Sequence, residues 1–127
     1  MNRSRVLVVD DDPSLRNTTR LILRHKGFDI TTARDGVEAL EQIRATTFDV
    51  ILMDIRMPGM SGVDVLEEIR ASGSSTAVVF MTAYVMDDVV SHALEAGAID
   101  VLLKPVNVDQ LLSLLDDLCR TAHERGA

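Results

Sequence analysis

Val50-Ile51-Leu52-Met53-Asp54 decides the fold: four apolar residues end abruptly in a carboxylate, and Ile55-Arg56-Met57-Pro58-Gly59 follows. An apolar run this short with turn residues behind it reads as a strand buried on both faces. Asp54 then stands at its carboxyl end. In an open parallel sheet, ligands collect just outside the carboxyl ends of the strands, so the rest of the chain is read for what it brings to that edge. Asp10-Asp11-Asp12 follows Val6-Leu7-Val8-Val9, Thr82 follows Ala77-Val78-Val79-Phe80-Met81, and Lys104-Pro105 follows Ile99-Asp100-Val101-Leu102-Leu103. Four strand ends thus carry acids, a hydroxyl and an amine.

Helices fill the intervals. Pro13 suits a first helical position and Asp12 its N-cap; this helix carries Leu15, Ile22 and Leu23 and stops at Gly27. Phe28-Asp29-Ile30-Thr31-Thr32 alternates apolar and polar, the pattern of a lightly covered edge strand. A second helix, from about Val37 to Ala45, is expected to turn Val37, Leu40 and Ile43 inward, and a third to bury Val63, Leu66 and Ile69. A fourth crosses Asp87 to Ala96 with Val90, Ala93 and Leu94 inward. The last, capped near Asn107 or Asp109, carries Leu111, Leu112, Leu114, Leu115 and Leu118. Five strand-helix units predict a parallel sheet covered on both faces. Right-handed crossovers leave few strand orders, and 2-1-3-4-5 opens a crevice between the first and third strands where Asp10, Asp11 and Asp54 meet.

Bulk properties narrow the function. The 127 residues make one domain, 1–127, with enough length for a real core. A net charge of -7 argues against direct binding to nucleic acid or to an anionic membrane, because phosphates would be repelled. Cys119 is the single cysteine, which excludes an internal disulfide, and no run is long enough to span a bilayer or serve as a signal peptide. A cytoplasmic location is the expectation.

Carboxylates gathered at one sheet edge repel by roughly 1 to 4 kcal/mol per pair at effective dielectrics between water and protein surface. A hard divalent cation is the natural compensation, and few protein ligands with several waters suit Mg²⁺ better than Ca²⁺. Lys104 adds a fixed positive charge. Such a site suits receiving a phosphoryl group: an Asp54 oxygen attacks, cations neutralise the phosphoryl oxygens, and Thr82 donates a hydrogen bond.

With these residues in place, the chain resembles the receiver domain of two-component response regulators, the CheY-like superfamily, over essentially its whole length. The resemblance implies a flavodoxin-like, doubly wound α/β/α fold. It implies Asp54 as the phospho-acceptor, Asp11 as a direct Mg²⁺ (or Mn²⁺) ligand, Asp10 acting largely through water, and the Arg56 backbone carbonyl completing the protein's share of the metal shell. Thr82 would be the switch hydroxyl and Lys104 the phosphate-contacting lysine. The donor would be a phosphohistidine on a sensor histidine kinase or histidine phosphotransfer protein, and the domain would catalyse its own phosphorylation and slow dephosphorylation. Output would pass to a downstream domain or protein through the last two helices, which also offer a homodimer surface. Two positions depart from the pattern: Val101 stands where the family usually has the switch aromatic, and Val106 where Phe usually follows Lys-Pro. Arg56 and Tyr84 hold positions that tune attack of water on the acyl phosphate, and their bulk predicts slow self-dephosphorylation.

Three other functions compete on the same residues. Asp10-Asp11-Asp12-Pro13-Ser14 loosely resembles the nucleophile motif of haloacid-dehalogenase phosphatases, which would make Asp10 the nucleophile, but the chain is short and lacks a cap domain. A flavodoxin-like cofactor binder would place phosphate against three carboxylates, which is unfavourable. An interaction module that is never phosphorylated would be marked by loss of an acceptor, metal or lysine position, and none is lost.

Overall fold

Every apolar run becomes a strand and every interval a helix. The structure, a computed structural model, describes residues 4–83 and 87–126, with side chains of the last helix described through residue 122. The elements run β1 (Arg5–Val9), α1 (Pro13–His25), β2 (Asp29–Ala33), α2 (Gly36–Ala45), β3 (Val50–Asp54), α3 (Gly62–Ala71), β4 (Ala77–Thr82), α4 (Asp87–Glu95), β5 (Asp100–Leu103) and α5 (Val108–Gly126). All strands pair in parallel in the order β2-β1-β3-β4-β5, as the alternation predicted. The order reverses at β1 and β3, and the crevice opens there.

Alternate residues of each strand feed two separate cores, as the period of two requires. Leu7, Val9, Ile51, Met53, Val78 and Phe80 pack with α2, α3 and α4; Val6, Val8, Val50, Leu52, Val79 and Met81 pack with α1 and α5. β3 and β4 are buried along their whole length. The helix ends are fixed by side chains, each satisfying N–H groups the helix leaves unpaired. Asp12 accepts from the N–H groups of Ser14 and Leu15, Asn107 from that of Gln110, and Ser61 and Asp64 form a reciprocal capping box.

Two expectations are corrected, and one edge of the sheet is lightly covered. Val37 is 60% exposed, because α2 buries Gly36, Ala39 and Leu40 instead, with Ile43 against the core. Gly36 presses against the Met60 and Val65 side chains, and Val37, one residue further round the helix, faces out. On α4 only Ala93 is fully buried; Val90 is half-buried and Leu94 exposed, while Val89 turns toward the core. β5 is less covered than its apolar sequence suggests: Leu102 is buried, but Leu103 and Ile99 beside the strand are about half exposed. As an edge strand it has a neighbour on one side only.

Candidate functional site

The carboxyl ends of β1, β3, β4 and β5 deliver the expected side chains to one place. Asp10 follows β1 and is buried; Asp54 ends β3 and is buried; Thr82 ends β4 and is buried. Lys104 follows β5 and reaches back across the sheet edge. Its Nζ donates to Asp10 Oδ2 at 3.0 Å and to Asp54 Oδ2 at 2.9 Å. Its backbone N–H donates to the Thr82 carbonyl at 2.7 Å, which ties the lysine's strand end to that of the hydroxyl. The Lys104–Pro105 peptide bond is cis.

Local backbone orients the acids. Asp10 Oδ1 accepts from the Asp12 N–H at 3.0 Å, and Asp54 Oδ1 from the Arg56 N–H at 3.2 Å. The Arg16 guanidinium donates to the Asp10 carbonyl at 2.8 Å. Sequence reading passed over Arg16; a basic residue in the first turn after an acid triplet was the available signal. Burial pushes the Asp54 carboxyl above the usual carboxylate range, although the Lys104 hydrogen bond and charge pull the other way. Burial opposes the charge on Lys104, but its two carboxylate partners outweigh it and raise the ammonium above its ordinary value.

Asp11 is exposed at the mouth, and one carboxylate oxygen each from Asp10, Asp11 and Asp54 lie within 4.8 Å of one another. Three carboxylates against the Lys104 ammonium, which bonds Asp10 and Asp54, carry a formal excess of two negative charges, the charge of one divalent cation. All the donors are hard oxygens, so the residues fit Mg²⁺. The Arg56 side chain is exposed. Tyr84 lies outside the described residues. Val101 is half-buried and paired in register with the fully buried Phe80, on the face toward α3 and α4. Beside Lys104, an apolar cavity of about 500 Å³ runs between α1 and the start of α5, lined by Leu15, Ile22, Met81, Ala83, Pro105 and Val106 among others.

This geometry has counterparts among known proteins. The pattern of the response regulator receiver domain matches residues 6–116. The transcriptional regulatory protein ZraR of Klebsiella oxytoca is 42% identical over 91% of this chain, which spans 26% of that protein's length. The signal receiver domain of a putative Luxo repressor protein from Vibrio parahaemolyticus superposes with a TM-score of 0.92 at 30% identity, covering 98% of this chain and 96% of that one. The response regulator TrrA from Thermotoga maritima, solved in complex with Mg²⁺-BeF, gives a TM-score of 0.81 at 34% identity over 91% of this chain and 98% of its own. Among the described residues, no helix is long and apolar enough to cross a membrane. The chain belongs to the response regulator receiver domain family of two-component systems, with its CheY-like fold, whose general function is phosphorylation on an aspartate followed by a conformational switch.

Proposed function

We propose that Asp54 is the phospho-acceptor and that the surrounding side chains make the chain a catalyst of its own phosphorylation. One observation carries this reading: the Lys104 ammonium spans the Asp10 and Asp54 carboxylates at 3.0 and 2.9 Å. A carboxylate held this way is oriented by the Arg56 N–H and backed by a fixed positive charge, which is what a phosphoryl acceptor needs. An Asp54 oxygen attacks phosphorus, the new O–P bond forms, and the N–P bond of a donor phosphohistidine breaks with its electron pair left on the imidazole. The product is an acyl phosphate. Lys104 exchanges a carboxylate partner for a phosphoryl oxygen as charge moves outward, and the buried Thr82 hydroxyl follows as the switch contact.

Mg²⁺, when bound, would be held by Asp10, Asp11, Asp54 and the Arg56 carbonyl, and would neutralise charge on the phosphoryl oxygens. Asp10 would then act largely through water. The donor is a sensor histidine kinase or histidine phosphotransfer protein; the apolar cavity beside Lys104 and the small Ala83 leave it an approach. Output passes through the last two helices, where Leu94 is exposed, either to a downstream partner or to a second copy of the chain. A monomeric mass both with and without beryllofluoride would exclude the dimer.

The test is intact mass after incubation with acetyl phosphate. The wild type gains one phosphoryl group in Mg²⁺ and none in EDTA, and Asp54→Asn gains none in either. A folded wild type that gains nothing and does not bind beryllofluoride overturns the reading in favour of a phosphorylation-independent interaction module.

A further inference from the structure

Gly62, the first residue of α3, stands against the end of β3 with no room for a side chain. A Cβ there would lie 2.5 Å from the Asp54 carbonyl oxygen, 2.7 Å from Phe80 Cε1 and 3.1 Å from Ile55 Cα. Two of these three atoms belong to backbone, which cannot yield as the tip of a flexible side chain does. The third belongs to a fully buried ring. Gly62 has no positive φ, so the position requires space and not an unusual backbone. The contact is also hydrogen-bonded: the Gly62 N–H donates to the Ile55 carbonyl at 2.7 Å, and the Ile55 N–H to the Met81 carbonyl at 3.1 Å. Helix α3, the end of β3 and β4 are thereby locked together one residue beyond Asp54.

The loop between Asp54 and Gly62 carries Arg56, whose N–H holds Asp54 Oδ1. A second close approach fixes the far part of this loop, for a Cβ at Gly36 would lie 2.8 Å from Met60 Cβ. Phe80 sits two residues before Thr82 on the same strand. One buttress therefore supports both the acid and the strand of the hydroxyl.

We propose that Gly62 is a positioning residue for the acceptor: its missing side chain lets the Asp54 carbonyl and the Phe80 ring close on α3, and this contact sets where the Asp54 carboxylate points. The proposal rests on the acceptor reading above. Gly62→Ala must push the Asp54 peptide or the ring aside by several tenths of an ångström, tilting the carboxylate away from Lys104 and the Arg56 N–H. Misplacement of a reacting group by ~1 Å can cost ~100-fold in rate, so a smaller shift is expected to cost about tenfold.

The experiment compares the full chain with Gly62→Ala and Gly73→Ala under conditions where each is folded by circular dichroism. Gly73 has φ +89° and nothing within 4 Å of a built Cβ, so its alanine strains the backbone without crowding the site. Phosphorylation by acetyl phosphate is followed over donor concentration, and Mg²⁺ affinity is measured by calorimetry without donor. Gly62→Ala should lower the rate at saturating donor about tenfold with KM little changed and weaken Mg²⁺ binding about threefold or more. Gly73→Ala should leave both within about twofold of wild type. A folded Gly62→Ala that reacts and binds Mg²⁺ as wild type does overturns the proposal, as does an equal loss in Gly73→Ala. Where Gly62→Ala does not fold, Phe80→Leu removes the ring from the contact and keeps the position apolar; the rate at saturating donor should fall about threefold, and an unchanged rate overturns the proposal. Wild type that takes no phosphoryl group on Asp54 rejects the acceptor reading and the positioning role together, whereas an active wild type beside an equally active Gly62→Ala rejects the positioning role alone.

Discussion

β3 and β5 contribute opposite charges to one site but are built differently. β3 lies between β1 and β4 and is buried along all five residues, whereas β5 is an edge strand whose only fully buried residue is Leu102. Asp54 therefore sits on the best-supported segment of the sheet. Lys104 sits at the end of a lightly covered strand beside α4, of which only Ala93 is fully buried. The proposed acceptor is held in place, and the cation that answers it is mounted on the part of the fold that can adjust at lower cost.

The largest effect expected from this contrast is chemical. Lys104→Ala should leave the fold and Mg²⁺ binding in place but slow phosphorylation by acetyl phosphate by ~10²- to 10³-fold, the usual consequence of removing one preorganised donor to developing charge. A time course of intact mass measures it, and a rate within threefold of wild type would break the assignment of Lys104 to the phosphoryl group.

Next comes a pair of identical substitutions on the two strands. Leu52→Ala, in the middle of β3 and fully buried, should cost about 3 kcal/mol in urea unfolding, while Leu103→Ala at the half-exposed end of β5 should cost within about 0.5 kcal/mol. Equal costs would contradict the difference in cover. Metal removal gives a smaller shift. Mg²⁺ at 10 to 100 times its dissociation constant should stabilise wild type by about 1.4 to 2.7 kcal/mol relative to EDTA, and Asp11→Asn should lose most of this, since binding to the folded state alone sets its size. Thermal melting with and without Mg²⁺ decides the point. The smallest expected effect concerns the lifetime of the phosphoryl group: Arg56→Ala with Tyr84→Ala should shorten it a few-fold. A wild-type lifetime no longer than the variant's would remove these side chains from control of hydrolysis.

Much of the fold was legible because the strands are short apolar runs separated by helical spacing; handedness left only a few orders for five parallel strands, and the doubly wound pattern chose among them. The candidate site was legible for a related reason: an acid, a hydroxyl and an amine each interrupt an apolar run at the same end of its strand. Periodicity was weaker on helix orientation. It groups residues onto a face without saying which edge of that face turns in, and so Val37 and Leu94 were assigned to the core and lie outside it. Gly36 and Gly62 were invisible as packing residues, since a position that matters by having no side chain adds nothing to a hydrophobic pattern. The bridge from Lys104 to both Asp10 and Asp54 depends on distances across 94 and 50 residues of chain, which spacing along the sequence does not express.

The most direct test of the central claim is to locate the phosphoryl group. Acyl phosphate formed from acetyl phosphate in Mg²⁺ is reduced with borohydride, which converts a phosphorylated aspartate to homoserine, and the peptides are sequenced by mass spectrometry. Homoserine at position 54 alone is the predicted result; homoserine at 10 or 11, or at none of the three in a folded protein, would contradict the account.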